Sequence, residues 1–219
     1  AANCSVTTSV DSTSFDCSEI GANTVTLTAL DGSSNTATCT ATITVVDSTA
    51  PTANCQNLTV YLDGSGAASI TANDVDGGSV DNCSVSTTSL DNSTFGCADI
   101  GSNTVTLTAA DANSNAATCT ATITVIDSTA PTASCQAVTL YLDAAGTATL
   151  NAAGVDNGTT DNCAVSSLSL NDTTFTCVDV GTNTVTLTAF DASGNGATCT
   201  GSITVVDSVS PTASCQNIT

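Results

Sequence analysis

Three aspartates, Asp47, Asp127 and Asp207, sit in near-identical strings: VVDSTAPTANCQ (45–56), VIDSTAPTASCQ (125–136) and VVDSVSPTASCQ (205–216). Each string marks a seam between repeats, and further oxygen donors recur at a fixed distance from it. Asp76, Asp81 and Asn82 fall in one loop and Asp111, Asn113 and Asn115 in a turn; Asp156, Asp161, Asn162, Asp191 and Asn195 are the later set. Carboxylates, amide carbonyls and backbone carbonyls together supply the six to eight oxygens that calcium takes. The candidate metal ligands are therefore Asp47, Asp76, Asp81, Asp111 and Asn115, and again Asp127, Asp156, Asp161, Asp191 and Asn195. Their spacing is not that of an EF-hand loop, and extracellular modules bind calcium weakly, with Kd of roughly 10⁻⁴–10⁻³ M. The competing account is conformational. Asp and Asn also make Asx-turns, and DGSSN, DANSN and DASGN (31–35, 111–115 and 191–195) suit hairpin turns on that ground alone.

Composition narrows the chemistry further. The 219 residues carry 20 acidic side chains and no lysine, arginine or histidine, a formal charge of −20. Nucleic acid and anionic membrane surfaces are gripped through basic side chains, so neither is an expected partner. Without histidine or lysine the usual general bases and amine nucleophiles are missing, and no enzymatic activity is expected. Uncompensated negative charge opposes compaction, and bound cations relieve it; plain solvation of the carboxylates is the alternative. The twelve cysteines include no CxxC pair. With no histidine beside them, they point to disulfides rather than zinc, and so to an extracellular location, on the cell surface or secreted. No run is apolar enough to insert in a membrane, and any targeting segment is expected outside these residues.

The elements that must position these groups follow from an internal period. Cysteines at 55, 83, 97 and 119 recur at 135, 163, 177 and 199, and Cys215 continues the series. Cys17 and Cys39 precede it at the same 80-residue interval, and Cys4 at 79. A period of this kind signals a tandem array. It divides the chain into a partial repeat (1–47), two whole repeats (48–127 and 128–207) and the start of another (208–219).

Within a repeat the pattern is β. Val105, Leu107 and Ala109 alternate with Thr104, Thr106 and Thr108, and Ala117, Cys119, Ala121, Ile123 and Val125 alternate with threonines. Period-2 alternation marks half-buried antiparallel strands. LTVYL (58–62) and AASIT (67–71) give two more, and no helical period is present. Six or seven short strands in 80 residues predict an all-β chain of tandem immunoglobulin-like β-sandwich repeats. A core of Val, Leu, Ile and Ala in so small a domain is marginal, and disulfides of roughly 2–4 kcal/mol each make up the difference.

Four cysteines per repeat allow three pairings. Cys55 opens the first strand and Cys119 opens the last, and in this topology those strands run side by side in parallel, so their beginnings meet. Cys83 and Cys97 flank the turn-like LDNST. The favoured pairs are Cys55–Cys119 with Cys83–Cys97, and Cys135–Cys199 with Cys163–Cys177; Cys4 and Cys17 join the disulfide set. Cys55 does not share the parity of Leu58, Val60 and Leu62, so a bulge or strand switch is required between them. The rival is a bond across the seam, such as Cys39–Cys55.

The string from Phe95 to Cys135, with its NTVTLTA strand, its D-x-x-x-N turn, ATCT, and the D-S-x-x-P-T-A-x-C seam, resembles the hyalin repeat (HYR). DNC at 81–83 and 161–163 fits the same pattern. The resemblance implies immunoglobulin-like modules of extracellular adhesion proteins, including long arrays on secreted bacterial adhesins of the Bacteroidetes type, and it implies no catalytic residues. Gln56 and Gln136 depart from the proline common after the first cysteine of that family. The expected function is a structural and adhesive stalk within a surface protein or filament. Its partners would be neighbouring repeats of the same chain, other copies in a filament, and surface glycans. The alternative is a glycan- or ice-binding module that uses the flat threonine faces, although β-propensity on a solvent-facing sheet accounts for threonine there. Ser48, Ser128 and Ser208 lie in Asp-Ser-small strings like the O-glycosylation sites of Bacteroidetes glycoproteins.

Overall fold

The computed structural model describes residues 5–216. The partial repeat forms β1 (Val6–Val10), β2 (Gly21–Asp31) and β3 (Thr36–Val45). The next forms β4 (Leu58–Tyr61), β5 (Ala67–Ser69), β6 (Thr87–Leu90), β7 (Thr94–Gly96), β8 (Gly101–Ala110) and β9 (Ala116–Ile126). The third forms β10 (Val138–Tyr141), β11 (Thr147–Thr149), β12 (Val165–Leu170), β13 (Thr174–Thr176), β14 (Gly181–Asp191) and β15 (Gly196–Val206). Both complete repeats share one plan, a four-stranded sheet and a two-stranded sheet: β4-β9-β8-β6 with β5-β7, then β10-β15-β14-β12 with β11-β13. The chain is thus an all-β series of disulfide-stabilised, immunoglobulin-like sandwich repeats.

The chain divides into two compact units whose borders fall inside the second repeat. One is Ala1–Leu58 with Ile70–Ser93 and Thr104–Thr122, the other Thr59–Ser69 with Thr94–Asn103 and Ile123–Thr219. The acidic group around Asp47 therefore lies within the first unit and the one around Asp127 within the second.

The third repeat shows why the alternating sequence folds this way. β10 runs parallel to β15, with Val138 opposite Ile203 and Leu140 opposite Val205. β14 and β15 are antiparallel, with Leu187 opposite Cys199 and Thr186 opposite Thr200. Because side chains alternate across a strand, this register sends Val185, Leu187, Ile203 and Val205 inward, all at 1% exposure or less. Leu142, Leu150, Val155 and Phe175 pack on them, with Cys135 and Cys199 at the margin. Threonines fill the outward rows, in cross-strand pairs such as Thr182–Thr204 and Thr188–Thr198, an arrangement that contributes modestly to sheet stability.

Two short helical turns, α1 (Ala72–Val75) and α2 (Ala152–Val155), escape a reading based on periodicity because four residues do not complete two turns of helix. Their caps do show in the sequence. The Asp74 carboxylate accepts from the Thr71 amide and hydroxyl, each at 2.7 Å, and Asn151 Oδ1 accepts from the Gly154 amide at 2.8 Å. Each turn buries one valine completely, Val75 and Val155 at 0% exposure. The strand switch required between Cys55 and Leu58 is also present. Cys55 makes an isolated bridge to Asp76, and the strand begins only at Leu58.

The disulfides correct part of the sequence reading. Cys55 pairs with Cys119 and Cys135 with Cys199, each over a separation of 64 residues. The expected local bonds Cys83–Cys97 and Cys163–Cys177 do not form. Cys83 bonds Cys17, and Cys163 bonds Cys97, over 66 residues each. The reason is strand assignment. Cys163 precedes β12, which pairs with β14, whereas Cys177 follows β13, which pairs with β11 in the other sheet. LNDTT, like LDNST, is thus a crossing between sheets and not a closed hairpin, and its flanking cysteines diverge. Cys39, Cys177 and Cys215 are exposed thiols, so the Cys39–Cys55 alternative is also absent. The seam is nevertheless a covalent clasp, made by a different pair of cysteines from the one weighed. Cys4 lies outside the described residues.

Candidate metal centre at the repeat seams

Two of the three seam aspartates, Asp47 and Asp127, are buried, as are the turn aspartates Asp111 and Asp191, whereas Asp207 is exposed. Asp47, Asp111, Asp127 and Asp191 are 8%, 6%, 4% and 4% exposed, in a chain with no basic side chain to pair them. In the second unit Asp127 follows the end of β15's counterpart, β9. Its Oδ1 accepts from the Thr129 amide at 3.1 Å and from Asn162 Nδ2 at 3.2 Å. Its backbone carbonyl accepts from Asn195 Nδ2 at 3.1 Å. Asp161 Oδ2 accepts from the amides of Cys163 and Ala164, at 2.9 and 3.0 Å, which folds the DNC turn. Asp191 opens the hairpin turn, and both its oxygens accept from Asn195, the amide at 2.8 Å and Nδ2 at 2.7 Å.

The first unit repeats the design. Asp47 Oδ1 accepts from the Thr49 amide at 3.0 Å and from Asn82 Nδ2 at 3.3 Å. The Asp47 carbonyl accepts from Asn113 and Asn115, at 3.2 and 3.1 Å. Asp81 Oδ2 holds the Cys83 and Ser84 amides, and Asp111 holds those of Asn113 and Asn115. Ser114 at φ 70° and Gly194 at φ 89° take the left-handed position of the two hairpin turns. Burial pushes the Asp111 carboxyl up, but hydrogen bonds from the Asn115 side chain and from the Asn115, Asn113 and Ser114 amides outweigh it. The net pKa lies below the ordinary value.

Two triads result. Asp47, Asp81 and Asp111 each place a carboxylate oxygen within 4.8 Å of the others, and so do Asp127, Asp161 and Asp191. Two oxygens bound to one calcium at 2.3–2.6 Å can be no more than roughly 5 Å apart, so the spacing fits a shared ion. A second observation points the same way. Asp81 Oδ1, Asp127 Oδ2, Asp161 Oδ1 and Asn162 Oδ1 are buried and accept no hydrogen bond among the described residues. Leaving such acceptors bare in a site of like charges is costly. An all-oxygen donor set without nitrogen or sulfur suits a hard cation, calcium before zinc.

Not every candidate ligand joins a triad. Asp76 and Asp156 stand outside both. Asp76 Oδ1 accepts from the Ser79 hydroxyl and amide at 2.7 and 2.8 Å, and Asp156 Oδ1 from the Thr159 amide at 2.9 Å. Hydrogen bonds from Ser79 and Thr159 respectively lower both carboxyl pKa values. These two aspartates serve as Asx-turns, as the conformational account describes. Asn115 and Asn195 sit at the seams and spend their amide nitrogens on the seam carbonyl and the turn aspartate. Asn82 and Asn162, named among the oxygen donors but left out of the ligand set, stand beside the triads, where their Nδ2 groups donate to Asp47 and Asp127. Ser48, Ser128 and Ser208 are exposed.

Sandwich repeats with buried acidic seams define the class of molecule, and comparison with known proteins bears on one of those repeats. Residues 46–125 match the HYR domain. Among solved structures, the extracellular cadherin domains 1–4 of protocadherin gamma B7 align at 15% identity and a TM-score of 0.39, over 87% of this chain and 59% of that one. Mouse clustered PcdhgC3 EC1–3 aligns at 15% identity and 0.36, over 85% and 77%. Protocadherin gamma C5 EC1–3 aligns at 11% and 0.39, over 86% and 79%. The chain thus spans 59% of the length of the first of these. No curated protein sequence matches it. Among the described residues no helix is long and apolar enough to cross a membrane.

Proposed function

We propose that this chain is a structural, adhesion-type repeat segment of an extracellular surface protein, an elongated stalk whose seams are each fixed by one disulfide and one calcium ion. The observation that carries the reading is the Asp127–Asp161–Asp191 triad, built from two sequence repeats beside the Cys97–Cys163 bond. In it, Asp127 Oδ2, Asp161 Oδ1, Asn162 Oδ1 and the Asp191 carboxylate would hold the ion, with Asp47, Asp81, Asn82 and Asp111 as the equivalent set. The bound cation neutralises charge that no side chain in the chain can neutralise. The match of residues 46–125 to the HYR domain supports the adhesion-type assignment. In this reading the immediate partners are neighbouring repeats. The exposed seam serines Ser48, Ser128 and Ser208 are open to glycan attachment.

Calcium titration followed by calorimetry tests the proposal. Two equivalent sites with Kd of roughly 10⁻⁴–10⁻³ M are expected, with Asp161→Asn removing one and Asp81→Asn the other. Heats indistinguishable from dilution at millimolar calcium would leave the triads as structural carboxylates only.

A further inference from the structure

We infer that Asn157 is a self-modification site, whose side chain condenses with the Gly158 amide and is converted to aspartate and β-aspartate with water as the only reagent consumed. The inference rests on one dipeptide held in two opposite environments. Asn-Gly occurs at Asn157–Gly158 and at Asn195–Gly196, both in the third repeat. The second repeat has Gly77–Gly78 and Asn115–Ala116 at the equivalent positions. Asparagine cyclises most readily ahead of glycine, because no Cβ shields the attacking nitrogen and the backbone reaches the angles that the ring needs.

Asn157 and Gly158 are both exposed, in the turn that follows α2. Gly158 has φ 83°, and a Cβ built on it would meet no atom within 4 Å. Asn157 is held through its main chain, whose amide donates to the Ser134 carbonyl at 2.9 Å, and its side chain makes no hydrogen bond among the described residues. The Gly158 amide donates to the Asp156 carboxylate, a contact that water replaces at an exposed turn. At Asn195–Gly196 the same atoms are tied down. Asn195 Nδ2, the leaving group, donates to the Asp191 carboxylate at 2.7 Å and to the Asp127 carbonyl at 3.1 Å. The Asn195 amide donates to Asp191 Oδ1 at 2.8 Å. Gly196 opens β15 opposite Phe190, and a Cβ on it would lie 2.6 Å from that ring. Cyclisation there breaks these bonds and lifts Gly196 out of its strand pair.

The steps balance without a redox partner. Hydroxide removes the Gly158 amide proton, and the nitrogen attacks Asn157 Cγ to close a succinimide ring. The Cγ–Nδ2 bond breaks, and Nδ2 leaves as ammonia, taking a proton from water and restoring the hydroxide. Water then adds to one ring carbonyl. Opening at Cγ gives aspartate, and opening at the main-chain carbonyl carbon leaves a β-aspartyl link to Gly158. Either product adds a carboxylate beside Asp156, and the β-aspartyl form lengthens the main chain of a turn pinned by the Cys135–Asp156 and Thr132–Thr160 bridges. The third repeat thus accumulates a one-way mark of time that Gly77 denies the second.

The test incubates the whole oxidised chain with chelator, so that the outcome does not depend on calcium, at neutral and at mildly alkaline pH, beside a reduced chain in denaturant. Peptides are mapped by mass spectrometry with electron-based fragmentation, which separates aspartate from β-aspartate. In the folded chain Asn157 should convert at least about tenfold faster than Asn195, the ratio that ~1.4 kcal/mol of activation free energy produces, and faster at the higher pH. In the denatured chain the two should convert alike. Asn157→Gly, which copies Gly77, should abolish modification at this turn and leave the rate at Asn195 unchanged. Equal rates at both sites in the folded chain, or an Asn157 that stays intact there while it converts in the denatured chain, overturns the inference.

Discussion

Asn162 bridges Asp127 and Asp63: its Nδ2 lies 3.2 Å from the Asp127 carboxylate and 3.1 Å from the Asp63 carbonyl, one residue before the cysteine that bonds Cys97. One amide thereby ties the DNC loop of the third repeat to two points of the second, while its own oxygen is buried without a hydrogen bond among the described residues. Replacing it with alanine removes a hydrogen bond to a charged group, worth about 1.5–3 kcal/mol. Asn162→Ala should melt several degrees lower than the parent by calorimetry and should bind calcium more weakly at that seam. Asn162→Asp is expected to bind calcium more tightly while losing stability in chelator. Equal melting temperatures for all three proteins would mean the bridge contributes nothing.

Chelation should loosen the seams without unfolding the repeats. If calcium fixes the angle at Asp47 and Asp127, small-angle scattering should report a shorter maximum dimension after its removal. The change should be largest at low salt, where carboxylate repulsion is least screened. Asp127→Asn should give part of that change in the presence of calcium. An identical scattering profile with and without calcium argues for passive linkers.

Acid should weaken the fold in a defined window. Hydrogen bonds hold the Asp111, Asp76 and Asp156 carboxyls below their ordinary value of 3.8 in the folded chain. A depressed folded pKa contributes stability that is fully present above the unfolded value. It is lost as pH falls through the folded one. Denaturant midpoints should therefore be flat from neutral pH down to about 5 and drop below 3.8. Asp76→Asn should blunt the drop. A midpoint that instead fell between pH 7 and 5 would assign the sensitivity to other groups.

Reduction should destabilise the chain strongly, because each disulfide closes a loop of 64 or 66 residues. Chain entropy puts the effect of such a loop at ~4 kcal/mol, which native strain or residual unfolded structure reduces. Thermal melts with and without reductant measure it directly, and superimposable curves would show that the small apolar cores suffice alone.

The strands were legible because burial obeys a period of two. Val105, Leu107 and Ala109 alternate with threonine, and all three are 1% exposed or less. The hairpin turns were legible because an aspartate side chain accepts from backbone amides further along the same turn, as Asp111 does from Asn113 and Asn115. Two things were not. The helical turns at Ala72–Val75 and Ala152–Val155 are shorter than any helical period, and only their caps announce them. The pairing of Cys97 with Cys163 was hidden because LDNST has the composition of a hairpin turn, while the chain uses it to step between sheets. Within the candidate site, the shared seam position of Asp47 and Asp127 was readable from the repeat. The exclusion of Asp76 and Asp156 depends on which way their carboxylates turn toward Ser79 and Thr159, and composition does not encode that.

The disulfides interlace along the chain: Cys17–Cys83 overlaps Cys55–Cys119, which overlaps Cys97–Cys163, which overlaps Cys135–Cys199. Every peptide bond from Cys17 to Cys199 is therefore bypassed by at least one sulfur bridge, and a single nick by a protease anywhere in that span releases no fragment. Under tension the same lattice acts as a second backbone. Load entering at Cys17 crosses to Cys83, follows the chain only as far as Cys97, and crosses again to Cys163, so most of each repeat can unravel without lengthening the molecule. A string of small, weakly cored sandwiches would thereby pull like a nearly inextensible cord.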